Sequence, residues 1–268
     1  MNPFRPSSKP GCFPLTAPRA RPARALPLLT ALLAPLALAE PPATPKILWL
    51  SYAADHPVSS RWELHFDGSY RPTIGSPARQ WMLRPGAGLQ ITDRLKLSLT
   101  YSYFDTHPNG LRQDEGETRE HRSHQQIEYS MPWRRTVIRH RFRMEERWLS
   151  SPNHAGQTPR WRWQDRPRYM LRLDLPLHRN NHPSVAPVLT LYDEVLFSFA
   201  SPAASAFEQN RVYTGLTWKL LPGFSLETGA MHQAIKTVSG PFRHNLIFQM
   251  SLRNNLPLRS LFARLRGA

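Results

Sequence analysis

The sequence predicts an all-β protein, an antiparallel transmembrane β-barrel of about ten strands (range roughly 8–12) that follows a cleaved signal peptide. Three observations lead to this prediction. The first 39 residues have the features of an export signal. The rest divides into segments of about 10 to 15 residues separated by Pro, Gly, Asn, Asp and Ser clusters. Apolar and polar residues alternate within these segments, which places each kind on one face of a strand, whereas a helix would mix them.

The N-terminal segment has the parts of a secretory signal peptide. Five basic residues accompany an apolar run over 25–36, and Ala37 and Ala39 fit the small-x-small cleavage pattern before Glu40. The apolar stretch is shorter than the roughly 20 residues that a helical span needs, and two prolines interrupt it. We therefore expect cleavage after Ala39 and export of the remainder.

Four parts follow from this pattern. They are a signal peptide over 1–39, an N-terminal periplasmic segment over 40–61 in which 49–53 is a candidate for one extra strand, the β-barrel over 62–252, and a basic C-terminal tail over 253–268.

The barrel strands are predicted from the alternating segments, and their connections differ in length. The predicted strands are 62–72, 80–91, 95–106, 120–132, 136–150, 160–177, 186–199, 207–220, 224–235 and 242–252. The connections 92–94, 133–135 and 221–223 are short, whereas 107–119, 151–159 and 200–206 are longer. An even count of strands places both ends of a barrel in the periplasm, and the longer connections are then extracellular loops.

Aromatic residues distinguish a membrane barrel from a soluble lipocalin-like or sandwich fold, which shares the period of two. Transmembrane barrels place aromatic residues near strand ends as two girdles at the membrane interfaces. The residues near predicted strand ends are Trp62, Tyr70, Trp81, Tyr103, Trp133, Trp148, Trp161, Trp163 and Trp218. We expect the outer membrane of a Gram-negative bacterium, with outer-membrane lipid, including lipopolysaccharide, and the outer-membrane assembly machinery as partners.

The charge of the chain is strongly basic, with 35 Lys and Arg against 19 Asp and Glu and a net charge of +16. Such an excess favours an anionic partner. Nucleic acid is not expected, because the basic residues lie on strand faces and in turns, without a helix or an exposed aromatic platform. Exposed examples such as Arg112, Arg119 and Arg160 fit lipopolysaccharide phosphates better. The sole cysteine, Cys12, lies in the leader, so no thiolate chemistry is expected in the mature chain.

Four stretches of the predicted strands carry a resemblance to a known family. They read HRSHQQ at 121–126, RFRMEER at 141–147, LYDEVLF at 191–197 and FEQNRVYTGL at 207–216. These stretches resemble the bacterial family catalogued as domain of unknown function 2490, whose members are predicted outer-membrane barrels. The resemblance covers roughly 62–252 and implies the barrel fold, but it implies no activity, because none is established for the family.

The polar faces of the strands carry the candidate functional residues, a lumen charge network rich in arginine. Its members are Glu128, Arg139, Arg141, Arg143, Glu145, Arg147, Arg166, Arg168, Arg172, Glu194 and Arg211. Opposed arginine rows on neighbouring strands would repel each other, so they need carboxylates or a bound anion. We expect Glu128, Glu145 and Glu194 to neutralise them.

Three functions remain open at this point. The leading one is a structural or surface-binding barrel whose arginine-rich lumen is occluded by ion pairs. The alternative is a narrow anion-selective pore with an anionic solute as its partner, because arginine rings favour anions. The second alternative is an outer-membrane hydrolase, for which His121, His124, Glu145, Asp193, Glu194 and Glu208 are candidates near the rim, although no nucleophile motif is present. No cofactor is expected, and the histidines lack metal-ligand spacing.

Overall fold

The structure is a computed structural model, and it describes residues 44–108, 116–151, 158–177, 187–199, 207–237 and 241–258. The predicted signal peptide, the central parts of the long connections and tail residues 259–268 lie outside the described residues. Within these ranges, no helix is long and apolar enough to cross a membrane.

The described residues form eleven strands of a closed barrel. The strands are β1 (Lys46–Pro57), β2 (Trp62–Pro72), β3 (Arg79–Gln90), β4 (Leu95–His107), β5 (Thr118–Trp133), β6 (Thr136–Ser150), β7 (Trp161–Pro176), β8 (Val188–Phe197), β9 (Phe207–Leu221), β10 (Phe224–Ile235) and β11 (Arg243–Asn254). The all-β barrel prediction is confirmed, and the ends of β2 to β11 lie within two residues of the predicted ends.

The closure of the barrel differs from the prediction. Each strand pairs antiparallel with its neighbour in sequence, but β1 and β11 pair in parallel, from Lys46 opposite Leu246 to Ala54 opposite Asn254. Because direction reverses at every step, the first and eleventh strands run the same way. The prediction of a wholly antiparallel barrel with an even strand count is therefore wrong. The two ends of the barrel lie at opposite rims, and the 40–61 segment contributes the strand β1.

The connections define two rims. The short-connection rim comprises 58–61, 91–94, 134–135, 222–223 and the described ends of 177–187; the long-connection rim comprises 73–78 and the described ends of 108–117, 151–160, 198–206 and 236–242. At the short-connection rim the chain continues past β11 and packs Leu256 against Gly223. The backbone N–H of Asn255 donates to the carbonyl of Gly223 (2.7 Å), and His56 Nδ1 lies 2.7 Å from the Leu256 carbonyl oxygen. The start of the C-terminal tail therefore caps the β9–β10 turn.

The outward face of the barrel is apolar and uncovered. Large apolar side chains on nine strands are exposed, among them Leu83, Leu99 and Phe142, which expose more than half of their surface. Soluble monomers rarely expose apolar patches beyond about 300–600 Å². Barrels that span a membrane present an apolar outward face of this kind to lipid.

Tryptophans flank this apolar surface at both rims. Trp62, Trp133 and Trp218 lie near the short-connection rim, and Trp81, Trp148, Trp161 and Trp163 lie near the long-connection rim. Along β6, Trp148 is twelve residues from Thr136, the register partner of Trp133. That length is roughly 40 Å along a strand and roughly 28 Å across a membrane at a tilt of about 45°. The separation matches a bilayer hydrocarbon core of about 30 Å.

Candidate functional site

The interior of the barrel holds the arginine rows predicted from the sequence. The register places Arg139 opposite Arg172 and Arg143 opposite Arg168, so like charges face each other between β6 and β7. Such pairs repel unless other groups intervene. Carboxylates from several strands lie between the guanidinium groups, and they form two main centres.

The first centre is Glu145, whose side chain is completely buried. Its Oε2 accepts hydrogen bonds from Arg166 Nε (2.7 Å) and lies 2.5 Å from Arg166 Nη2. Its Oε1 accepts a hydrogen bond from Arg168 Nη1 at 2.5 Å. Arg122 and Arg143 lie farther from the same carboxylate, at 3.7 and 3.8 Å. One carboxylate therefore neutralises part of the charge of several arginines.

The second centre is Glu194 on β8, which is also buried. Arg168 Nη2 donates to its Oε2 at 2.6 Å, and Arg141 Nη2 donates to its Oε1 at 2.8 Å. Arg211 Nη1 lies 3.3 Å from Oε2. Arg168 therefore links Glu145 on β6 to Glu194 on β8, two strands apart.

The remaining predicted arginines contact carboxylates other than Glu128, Glu145 and Glu194, the three expected to neutralise them. Arg172 donates to Asp174 (3.0 Å) and to Glu227 on β10 (3.1 Å), and Arg139 also pairs with Asp174. Arg147 pairs with Glu120. Each of these acids lies on an inward strand face, but strand register and side-chain reach decide which arginine it meets.

Glu128 does not neutralise the rows as expected. Its register partners are Lys96 and Arg141, yet within the described residues it has no ion pair shorter than 4.0 Å. Lys96 instead binds Glu63 at 2.8 Å, and Arg141 binds Glu194. Glu128 contributes its charge to the wall of a cavity.

That cavity has a volume of about 270 Å³, and all eleven strands contribute to its wall. Ten basic and six acidic side chains line it, so the wall is net positive. Near the short-connection rim the lining includes Asp55, Glu63, Lys96, Glu227 and Arg253. An anion in this cavity would therefore meet an excess of cationic groups.

A polar layer lies in the lumen toward the long-connection rim. Its members are Gln80, Thr106, Glu120, Arg147, Gln164, Gln209, Gln233 and Asn245. Neighbouring members are hydrogen-bonded: Gln80 donates to Thr106 (2.7 Å), Arg147 to Gln164 (2.9 Å), Gln233 to Gln209 (2.6 Å) and Asn245 to Gln233 (2.8 Å). The layer draws on β3 to β7 and on β9 to β11.

A serine, a histidine and a glutamate lie in line inside the barrel. Ser102 Oγ is 2.8 Å from His124 Nε2, and His124 Nδ1 is 3.6 Å from Glu145 Oε1. This order resembles a Ser-His-acid arrangement, but a nucleophile must reach its substrate. Ser102 has no exposed surface and is outside the cavity lining. The three residues therefore extend the buried polar network.

The other hydrolase candidates do not assemble with this group. His121 and Asp193 belong to the outward faces of β5 and β8, where His121 contacts Tyr101 and Asp193 accepts a hydrogen bond from Asn210 (2.5 Å). Glu208 lies inside and is 3.2 Å from Arg166. Across the described ranges, no group of three or more His, Cys, Asp or Glu side chains could hold a metal ion.

Comparison with protein families places the chain in a group of unknown function. A family model described as "Protein of unknown function (DUF2490)" matches residues 47–244. The chain belongs to the DUF2490 family. No curated protein matches it.

Among solved structures, the DUF2490 chain is similar to the siderophore receptor PirA from Pseudomonas aeruginosa. The two share 16% sequence identity with a TM-score of 0.28, over 69% of this chain and 37% of the receptor chain. The chain therefore spans little more than a third of the length of that receptor.

The stretches that carried the DUF2490 resemblance supply much of the interior network. The 121–126 stretch contributes Arg122, His124 and Gln126, and the 141–147 stretch contributes Arg141, Arg143, Glu145 and Arg147. The stretches on β8 and β9 add Glu194, Glu208 and Arg211. These stretches therefore contribute many of the charged side chains on the inward faces of the barrel.

Proposed function

We propose that this DUF2490 protein is an outer-membrane barrel whose lumen is occluded, and that its role is structural or surface-binding. Its apolar outer surface and the two tryptophan girdles support the membrane location. The observation that carries the occlusion is a set of ion pairs inside the barrel that join strands two or three positions apart, namely Arg141 with Glu194, Arg166 with Glu208 and Arg172 with Glu227. A barrel of eleven strands is closer in width to filled eight-stranded barrels than to porins of 16–18 strands.

The exposed basic residues of the long-connection rim support a surface-binding role. They are Arg79, Arg119, Arg160, Arg162, Lys236 and Arg243. In the proposed orientation this rim faces the outer leaflet, where lipopolysaccharide presents phosphate groups. Guanidinium and ammonium groups form charge-assisted hydrogen bonds with phosphate. Arg112, the other residue considered for this contact, lies outside the described residues.

Single-channel recording in planar lipid bilayers tests the occlusion. We expect the purified barrel to insert without stable unit conductance, while a general porin inserted under the same conditions gives discrete steps. Insertion of the silent protein is verified separately: after reconstitution into vesicles of the same lipid, the protein should resist added protease. Reproducible unit conductance would contradict the occlusion.

A narrow anion-selective pore is the second candidate. The ten basic and six acidic side chains of the cavity wall favour it, because a surplus of arginine attracts anions. In that case the recordings would show unit steps whose reversal potential in a salt gradient indicates anion selectivity. Cation-selective steps would contradict both candidates.

A further inference from the structure

We propose that Arg71 and Arg211, which flank Trp49 inside the cavity, form a binding site for a small phosphate-bearing anion. Arg71 Cζ lies 4.2 Å from the centre of the Trp49 ring system, and Arg211 Cζ lies 5.6 Å from it. The two guanidinium carbons are therefore at most about 10 Å apart, the sum of these distances. All three side chains line the cavity.

Arg71 has only neutral hydrogen-bond acceptors among the described residues. Its Nε donates to Ser69 Oγ at 3.1 Å and its Nη1 donates to Gln80 Oε1 at 2.9 Å. No carboxylate of the described chain lies within 4.0 Å of its guanidinium nitrogens. The cost of removing a cation from water is high unless an anion compensates it. Arg71 thus provides a positive charge at the cavity wall that has no direct carboxylate partner among the described residues.

Arg211 is only partly compensated. Its carboxylate partner is Glu194, at 3.3 Å, and the same carboxylate receives shorter bonds from Arg168 (2.6 Å) and Arg141 (2.8 Å). One negative charge is therefore shared by three arginines. The surplus positive charge on Arg211 lies close to Arg71, because both guanidinium groups contact the Trp49 ring.

A third guanidinium group extends the same surface. The Phe104 ring centre lies 5.5 Å from Arg71 Cζ and 3.7 Å from Arg122 Cζ. The two aromatic rings restrict the arginine side chains that contact them, which lowers the entropy lost when a ligand binds. Arg122 is already paired with Glu120 (2.6 Å), so we assign it a supporting role and give the main contacts to Arg71 and Arg211.

Phosphate is the ligand chemistry that fits these groups. A guanidinium fork offers two parallel N–H donors, which match two phosphate oxygens. The cavity of about 270 Å³ has room for a phosphate group with a small substituent and accompanying water. Asp67, four residues from Arg71 on β2, is already paired with Arg84. This inference rests on the proposed occluded lumen, because a lumen closed beyond the cavity retains the anion.

Equilibrium dialysis of the purified full-length barrel with radiolabelled inorganic phosphate tests the site. We expect saturable binding of one phosphate per barrel. Arg71→Gln and Arg211→Gln should each weaken binding at least tenfold, a loss of about 1.4 kcal/mol or more. Arg94→Gln, which removes an exposed arginine from a short connection, is the matched control and should bind like the unaltered protein.

Folding of each variant is checked by heat-dependent gel mobility, and Arg71→Lys, which keeps the charge but loses the fork, should bind with intermediate affinity. Absence of saturable binding by the unaltered protein at phosphate concentrations up to about 10 mM would overturn the site. Equal losses in folded Arg71→Gln and Arg94→Gln proteins would also overturn it, because they would indicate a general charge effect.

Competition identifies the source of the phosphate. Displacement by glycerol 3-phosphate supports a soluble ligand, and displacement only by phosphatidylglycerol vesicles supports a lipid headgroup; either result supports the site. The bilayer recordings separate this inference from the proposed function. A silent barrel that fails to bind phosphate would overturn the site alone, whereas a conducting barrel that binds phosphate would overturn the occlusion alone.

Discussion

At the scale of single residues, Glu145 is the side chain on which the interior network most depends. It is fully buried and binds both Arg166 and Arg168 at 2.5 Å. Removal of one partner from a buried ion pair typically costs about 3–5 kcal/mol, because the remaining charge is uncompensated. We expect Glu145→Gln, which keeps the shape and loses the charge, to lower the free energy of unfolding by about that amount. Urea titration of the barrel in lipid vesicles measures the change.

The neighbouring Glu146 provides the control for this prediction. It follows Glu145 on β6, and its side chain belongs to the opposite, outward face. Glu146→Gln should therefore leave the unfolding free energy within about 0.5 kcal/mol of the original value. Equal effects of the two substitutions would contradict the role assigned to Glu145.

The sequence predicted which charged side chains face the interior of the barrel, but it did not predict which residues they contact. A period of two indicates that Arg141 and Glu128 share the inward faces of adjacent strands. It does not indicate that Arg141 reaches past β7 to Glu194 on β8, at 2.8 Å. An arginine side chain is long enough to choose among acids on several strands, so its partner depends on barrel curvature and shear. For this reason the sequence did not predict Glu120, Asp174 and Glu227 as carboxylates that neutralise the arginines.

At the scale of the elements, the ten strands with clear alternation were predicted close to their observed ends, whereas β1 was indicated only as a candidate strand over 49–53. In β1 the inward face carries Trp49 and Ala53, and the adjacent Ala54 is also small, so the contrast between its faces is weak. Trp49 was therefore absent from the predicted site. A single added strand also changes the parity of the barrel, which converts the closing pair from antiparallel to parallel.

The turn between β9 and β10 gives a prediction at this scale. Gly223 has φ +80°, and an added Cβ would lie 2.5 Å from Leu256 Cδ2. Gly75 has a similar φ of +76°, with no atom within 4 Å of an added Cβ. Gly75→Ala should cost about 1 kcal/mol from backbone conformation, and Gly223→Ala should cost more because Leu256 must move. Urea unfolding of both variants measures the difference.

A second substitution separates the cost of the backbone conformation at Gly223 from the cost of the contact with Leu256. Leu256→Ala removes the atoms that an added methyl group would meet, so the additional cost of Gly223→Ala should disappear in the Leu256→Ala background. If Gly223→Ala and Gly75→Ala are equally destabilising in the original protein, the tail residue Leu256 does not stabilise this turn.

At the scale of the whole molecule, the unequal lengths of the connections at the two rims predict an orientation of the barrel in the membrane. The rims lie at opposite ends of the strands, with an apolar outer surface between them. In membrane barrels the longer connections are extracellular and the short turns are periplasmic. Thr158, at the long-connection rim, and Ser60, at the short-connection rim, are both exposed and should therefore face opposite sides of the membrane.

Cysteine labelling tests this orientation in a chain whose single native cysteine, Cys12, is replaced by serine. We expect a membrane-impermeant maleimide to label Thr158→Cys on intact cells, and to label Ser60→Cys only after the outer membrane is permeabilised. Both variants should react equally in detergent, which controls for intrinsic reactivity. Labelling of Ser60→Cys alone on intact cells would reverse the orientation, and recovery of both variants as soluble periplasmic protein would contradict the membrane barrel. Because the termini of the barrel lie at opposite rims, the same result would place the start of β1 on the extracellular side and the end of β11 on the periplasmic side.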